Sequence, residues 1–261
     1  MIIYNDQKFE TKEALHKYLA KNVNDLIALK KVSMKKADAF MCIPKKVQSK
    51  EIQSDVNELK AQLIINTTNI LDSHKDVHIN GLWNRSLNTK RPIFLLQEHE
   101  YKFDKIISRD VHAYTQVLDW KELGFDFLGE TECLTFDAQI KKETNEFMFD
   151  LYAKGLITQH SVGMYYKNLV LCIDTEDEDL KEYKENFNKY VPFIVNKEAI
   201  ENGYFWSVLE AQLIEGSAVV MGSNYATPTI SVESQNVDSQ KSTPQIDSRL
   251  QLYQTLNKIL N

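Results

Sequence analysis

The feature that most constrains this chain is a change of pattern near residue 60. From there on, short runs rich in β-branched and aromatic residues follow one another: AQLIINTTNIL, RPIFLLQEH, DKIISRDVHAYTQV, ECLTFDAQI, LITQHSVGMYY and WSVLEAQLIEGSAVVM. Runs of this length and composition predict strands. Before residue 60 the spacing is helical. Thr11 is placed as an N-cap, and KEALHKYLAKNVNDLIALKK sets Leu15, Tyr18, Leu19, Val23, Leu26 and Leu29 at helical intervals. SKEIQSDVNELKAQ reads as a second short helix, and no glycine occurs before Gly81. Two helices interrupt the strands. KETNEFMFDLYAKG closes on Gly155, a suitable residue just past a helix end. The acidic DTEDEDLKEYKENFNKYV reads as an exposed helical insertion at about 174–203. The expected class is therefore β-rich α+β. An N-terminal helical extension spans 1–57, and a strand domain spans 58–231. A polar linker follows over 232–247 (within SVESQNVDSQKSTPQIDS). A C-terminal amphipathic helix over 248–261 carries Leu252, Leu256 and Ile259 on one side. A tethered apolar stripe of that kind docks on its own domain, a copy or a partner.

Composition narrows the function. With 43% hydrophobic and 26% charged residues, a true core is expected. No apolar run approaches the roughly 20 residues of a membrane span, and MIIYNDQKFETKEALHKYL lacks the layout of a secretory signal. Cys42, Cys133 and Cys172 are odd in number and form no C-x-x-C, which argues against a disulfide framework and a thiolate zinc site and for a reducing cytoplasmic setting. A net charge of -6 argues against a nucleic-acid binder. Residues 1–50 nevertheless hold eleven lysines against five acids, densest in KKVSMKKADAFMCIPKK. That stretch reads as a solvated helix face or, more sharply, as a docking arm for an acidic partner protein.

Three strands carry residues of catalytic type. In TQHSVGMYY, alternation points Gln159, Ser161, Gly163 and Tyr165 one way and His160, Val162, Met164 and Tyr166 the other. His160 is thus a poor base for its neighbour Ser161. Gly163 leaves space beside Ser161 that an approaching peptide carbonyl could use; a bulge or a close backbone approach would explain the glycine equally. A serine nucleophile needs a proton acceptor, and the acceptor needs a group to orient it. His99 follows the apolar PIFLLQE and can be the acceptor, although a lone histidine there is also an ordinary structural residue. In LEAQLIEGSAVVMGSN, alternation places Leu213, Glu215, Ser217 and Val219 on one face. Glu215 interrupts it as a carboxylate that needs a partner, unless the face is an exposed edge.

DSHKDVHINGLWNRSL, FLLQEHEY, GLITQHSVGMYY and LIEGSAVVMGSNYATP, in this order, resemble the maturation (prohead) proteases of tailed bacteriophages, relatives of the herpesvirus assemblins. The resemblance covers roughly residues 58–231. It implies a closed or nearly closed antiparallel β-barrel surrounded by helices. It also implies Ser161 as nucleophile, His99 as general base and Glu215 as the residue orienting the base, with His112 and Asp137 as alternatives for the third role. Peptide hydrolysis would run through an acyl-enzyme without a cofactor. The substrates would be scaffold and major capsid protein precursor, and the enzyme itself, inside the immature shell in the host cytoplasm. The N-terminal helices and the acidic insertion depart from the plainest members. Three other readings stay open. One is a capsid-assembly or scaffold protein that keeps the barrel without the chemistry. Another is a metal site at His74, Asp76 and His78, which alternate on one face of an extended segment. The last is a plain β-rich binding domain.

Overall fold

A short hairpin, β1 (Ile2–Tyr4) and β2 (Gln7–Phe9), opens the chain. The Thr11 hydroxyl then accepts the Ala14 N–H at 3.2 Å, so helix α1 (Lys12–Lys21) starts where the sequence predicts. The helical run breaks at Asn22, and α2 (Val23–Val32) follows as a separate helix. Leu15, Leu19 and Leu26 are buried in the main core, so these helices pack into the strand domain instead of extending from it. The computed structural model describes residues 1–32, 48–49, 56–89 and 91–234. Most of the basic stretch, the linker over 232–247 beyond Ser234, and the C-terminal helix lie outside the described residues.

The strands form two large sheets. In the first, β3 (Gln48–Ser49), β12 (Thr229–Ser234), β4 (Glu58–Thr67), β9 (Glu130–Lys141) and β8 (Asp110–Asp119) are neighbours in that order. In the second the order is β10 (His160–Ile173), β11 (Tyr204–Ala218), β6 (Leu95–Gln97) and β7 (Ile106–Ser108), with β5 (Asp76–His78) also on β11. Helices α3 (Asn84–Leu87), α4 (Glu146–Ala153) and α5 (Lys181–Tyr190) complete the order. Asn145 caps α4 through the Met148 N–H, and Gly155 ends it with a left-handed φ of 65°. Residues 58–62, expected in a short helix, belong to β4 because the first sheet needs them opposite β9.

The class is α+β, with strand-rich sheets and few helices. The closed or nearly closed antiparallel barrel is not found among the described residues: no ladder joins the two large sheets. The pairing is also mixed, since β5 and β6 run parallel to β11, and β3 runs parallel to β12. The 15-residue β11 takes β5 near its start and β6 at its end along one edge, and β10 along the other. The outermost strands, β10 and β7 in one sheet and β3 and β8 in the other, each pair with a single neighbour, so among the described residues both sheets keep their edges. The sheets face each other over one core instead. A Cβ on Gly216 of β11 would lie 2.5 Å from Phe136 of β9 and 3.1 Å from Ile65 of β4, so glycine there lets the sheets approach. Among the described residues no helix is long and apolar enough to cross a membrane.

Candidate active site

The β10–β11 ladder decides which side chains share a face. Ser161 pairs with Ser217 and Gly163 with Glu215, but Met164 pairs with Leu213. Ile214 is the extra residue of a β-bulge. Leu213 and Met164 therefore point into the core, while Glu215 and Ser217 point to the opposite face with Ser161. Simple alternation had put Leu213 and Glu215 together; the bulge separates them. Cross-strand neighbours on one face place their Cβ atoms about 5 Å apart. Ser161 thus stands beside Ser217, two residue pairs along from Glu215 on the same face.

Space beside Ser161 is not open. A Cβ on Gly163 would lie 1.9 Å from Glu215 Oε1 and 2.7 Å from its Cδ. The glycine is needed because the Glu215 carboxylate passes over the β10 backbone there. The expected notch for a peptide carbonyl is occupied by the acid itself.

His99 reaches the same carboxylate from β6. Its Nδ1–H donates to Glu215 Oε1 at 2.6 Å, in a pair whose side chains are 6% and 1% exposed. The histidine sits in a tight turn, closed by the Glu100 N–H on the Gln97 carbonyl at 3.0 Å. Glu98 and His99 both have left-handed backbone, with φ of 52° and 56°. Asn-Gly is the usual sequence for such a turn, and each non-glycine residue in it costs roughly 1–2 kcal/mol. Tertiary bonds hold it: the Glu98 N–H donates to the Ala218 carbonyl, and Glu98 Oε1 accepts the Val220 N–H at 2.9 Å. Strain retained in this way gathers at functional sites.

His99 Nε2 is buried and has no hydrogen-bond partner. The direct contact expected between it and Ser161 is therefore not made here. With Nδ1–H committed to the carboxylate, Nε2 carries the lone pair and is the free acceptor of the site. Ser217 is a poor nucleophile by contrast. It is fully buried, and its hydroxyl donates to Glu215 Oε2 at 2.7 Å. Nearby, burial first and then the Glu215 charge push the Tyr101 hydroxyl up to about 12. Tyr101 also lines an apolar hollow of about 180 Å³ with Phe94, Leu96, Phe103 and Ile106.

Other candidates lie elsewhere. His112 and Asp137 face each other across β8 and β9 in the first sheet, where Asp137 Oδ1 accepts from Gln62 and Tyr114. They take no part in the His99 cluster. His160 is closed off as expected: Nδ1–H donates to the Thr227 carbonyl and Nε2 accepts from the Tyr152 hydroxyl at 3.0 Å. Burial lowers it to about 4. His74, Asp76 and His78 do not assemble as ligands, and among the described residues no group of three His, Cys, Asp or Glu side chains is arranged to hold a metal. Asp76 is taken by Lys30 Nζ on one oxygen and by the Tyr166 hydroxyl on the other, and His78 Nδ1 by the Asn66 amide. Lys30, read as part of a solvated face, is in fact buried over the Trp206 ring. Compared with known proteins, the chain matches no protein-family model, no curated protein and no solved structure.

Proposed function

We propose that this chain is a serine endopeptidase of the prohead-maturation type. Its substrates are the scaffold and major capsid protein precursor, and its own polar tail, inside an immature shell in the host cytoplasm. One observation carries the reading: a histidine whose Nδ1–H is held by a buried carboxylate, with Nε2 unpartnered, stands over the face that presents Ser161. Ser161 Oγ attacks the peptide carbonyl as His99 Nε2 takes its proton. The imidazolium, stabilised by Glu215, then gives that proton to the leaving amine. Water releases the acyl group by the same relay. The apolar hollow beside the turn offers a seat for a substrate side chain. The fold half of the reading, a barrel of the herpesvirus-protease kind, rests on the two sheets sharing one core.

A second reading, a shell or scaffold protein without chemistry, is favoured by the unmade contact between Nε2 and Ser161. Co-expression with capsid and scaffold precursors separates the two. Cleavage of these partners by the wild type, absent with Ser161→Ala, is the expected result. Intact partners and an intact tail in both would favour the shell protein.

A further inference from the structure

Ser217 closes a ring of hydrogen bonds around the base. The His99 backbone N–H donates to Ser217 Oγ at 3.1 Å; the Ser217 hydroxyl donates to Glu215 Oε2 at 2.7 Å; Glu215 Oε1 accepts from His99 Nδ1–H at 2.6 Å. The ring begins and ends on one residue, His99. It ties the residue's left-handed backbone to the orientation of its own imidazole. Ser217 is 0% exposed, so bulk solvent does not compete for its hydroxyl.

We infer that Ser217 is a positioning residue that sets the tautomer of His99. The inference rests on the protease reading for its kinetic consequence, but not for its structural one. A buried carboxylate stays ionised only when its oxygens are satisfied. Ser217 satisfies Oε2, which leaves Oε1 as a pure acceptor. An acceptor at that point requires the proton on Nδ1 and so leaves the lone pair on Nε2. Without the hydroxyl, both Oε2 and the His99 N–H lose their partner. The Glu215 carboxylate, one donor short, can then turn off Nδ1, which frees the single ring proton to move to Nε2. A base with its proton on that nitrogen cannot accept one from Ser161.

Two readouts test this. NMR of the imidazole nitrogens at neutral pH should show wild-type His99 protonated on Nδ1 alone and Ser217→Ala shifted towards the Nε2–H form. Peptide hydrolysis by Ser217→Ala should lose roughly 10–100-fold in kcat, as loss of an outer orienting partner commonly does, with KM within about two-fold. Ser217→Thr keeps the hydroxyl and should restore both. Should the alanine variant fail to fold, Ser217→Cys, a weaker donor of similar size, should give an intermediate shift. Wild-type tautomer and kcat in a folded variant lacking the hydroxyl would overturn the inference. A wild type without any hydrolase activity removes the protease reading alone, because the tautomer is read without substrate.

Discussion

Two buried polar clusters hang on the two ends of β11, and they differ in what their carboxylates hold. At the start of the strand, beside β5, the Asp76 carboxylate is taken on both oxygens by Lys30 and Tyr166. The adjoining Asp72 accepts the backbone N–H groups of His74 and Asp76 at 2.9 Å each. His78 Nε2 lacks a partner as well, and the cavity it borders with Asp72, Asn66 and Ser161 measures about 10 Å³, roughly one water, and admits no substrate. At the end of the strand, beside β6, Glu215 holds His99 through Nδ1, and Nε2 is buried without a partner. The first cluster ties α2 and β10 to the sheet. The second spends backbone strain to keep one acceptor available. On the protease reading the second network carries chemistry and the first structure, although both are buried and both contain carboxylate and imidazole.

The largest expected effect breaks the two apart. Ser161→Ala should lower peptide hydrolysis by roughly 10³-fold or more, while the urea midpoint barely moves. Asp76→Ala should do the reverse. Lys30 would be left buried and unpaired, which costs about 3–5 kcal/mol in denaturant titration, with kcat per folded molecule nearly unchanged. If Asp76→Ala instead abolishes turnover in folded protein, the division of labour is wrong.

Gly163→Ala sharpens the comparison, because it acts on the second cluster without removing a functional group. The new methyl group would collide with the Glu215 carboxylate and pull it from His99. About 100-fold in kcat should be lost, with a stability cost of about 1–3 kcal/mol. Unchanged kinetics would show that Glu215 does not orient the base.

Near neutral pH the smallest effect lies outside both clusters and grows only as the solution is acidified. His160 is lowered from 6.5 to about 4 by burial, so the folded protein binds this proton less readily than the unfolded chain. Its contribution to stability is complete above 6.5 and shrinks as pH falls towards 4, by about 1.4 kcal/mol per unit at most. Replacing it by Gln should flatten that part of the stability curve, measured by urea unfolding at several pH values. An equally steep curve in the variant would assign the slope to other groups.

Much of this was legible in the sequence, because local chemistry fixed it. The Thr11 cap, the α4 helix ending at Gly155 and the alternation at Ser161 and Gly163 all follow from short-range pattern. The spacing also named His99 and Glu215, which the structure joins through Nδ1 and Oε1. What escaped is non-local. Ile214 carries no mark of a bulge, since an extra residue is defined only by the partner strand. The left-handed turn at Glu98 and His99 lacks Gly and Asn, because tertiary hydrogen bonds outweigh the local preference. Lys30 looked solvated because only Asp76, 46 residues on, makes its burial tolerable. The pairing of the outermost strands on one side only, which leaves the sheets separate among the described residues, is likewise a property of strands far apart in the chain.

The most direct measurement is labelling with a fluorophosphonate, followed by mapping of the modified residue by mass spectrometry. The account predicts one adduct, on Ser161, lost in Ser161→Ala and strongly reduced in His99→Ala with the fold intact. An adduct on Ser217, or none on folded wild-type protein, would contradict it.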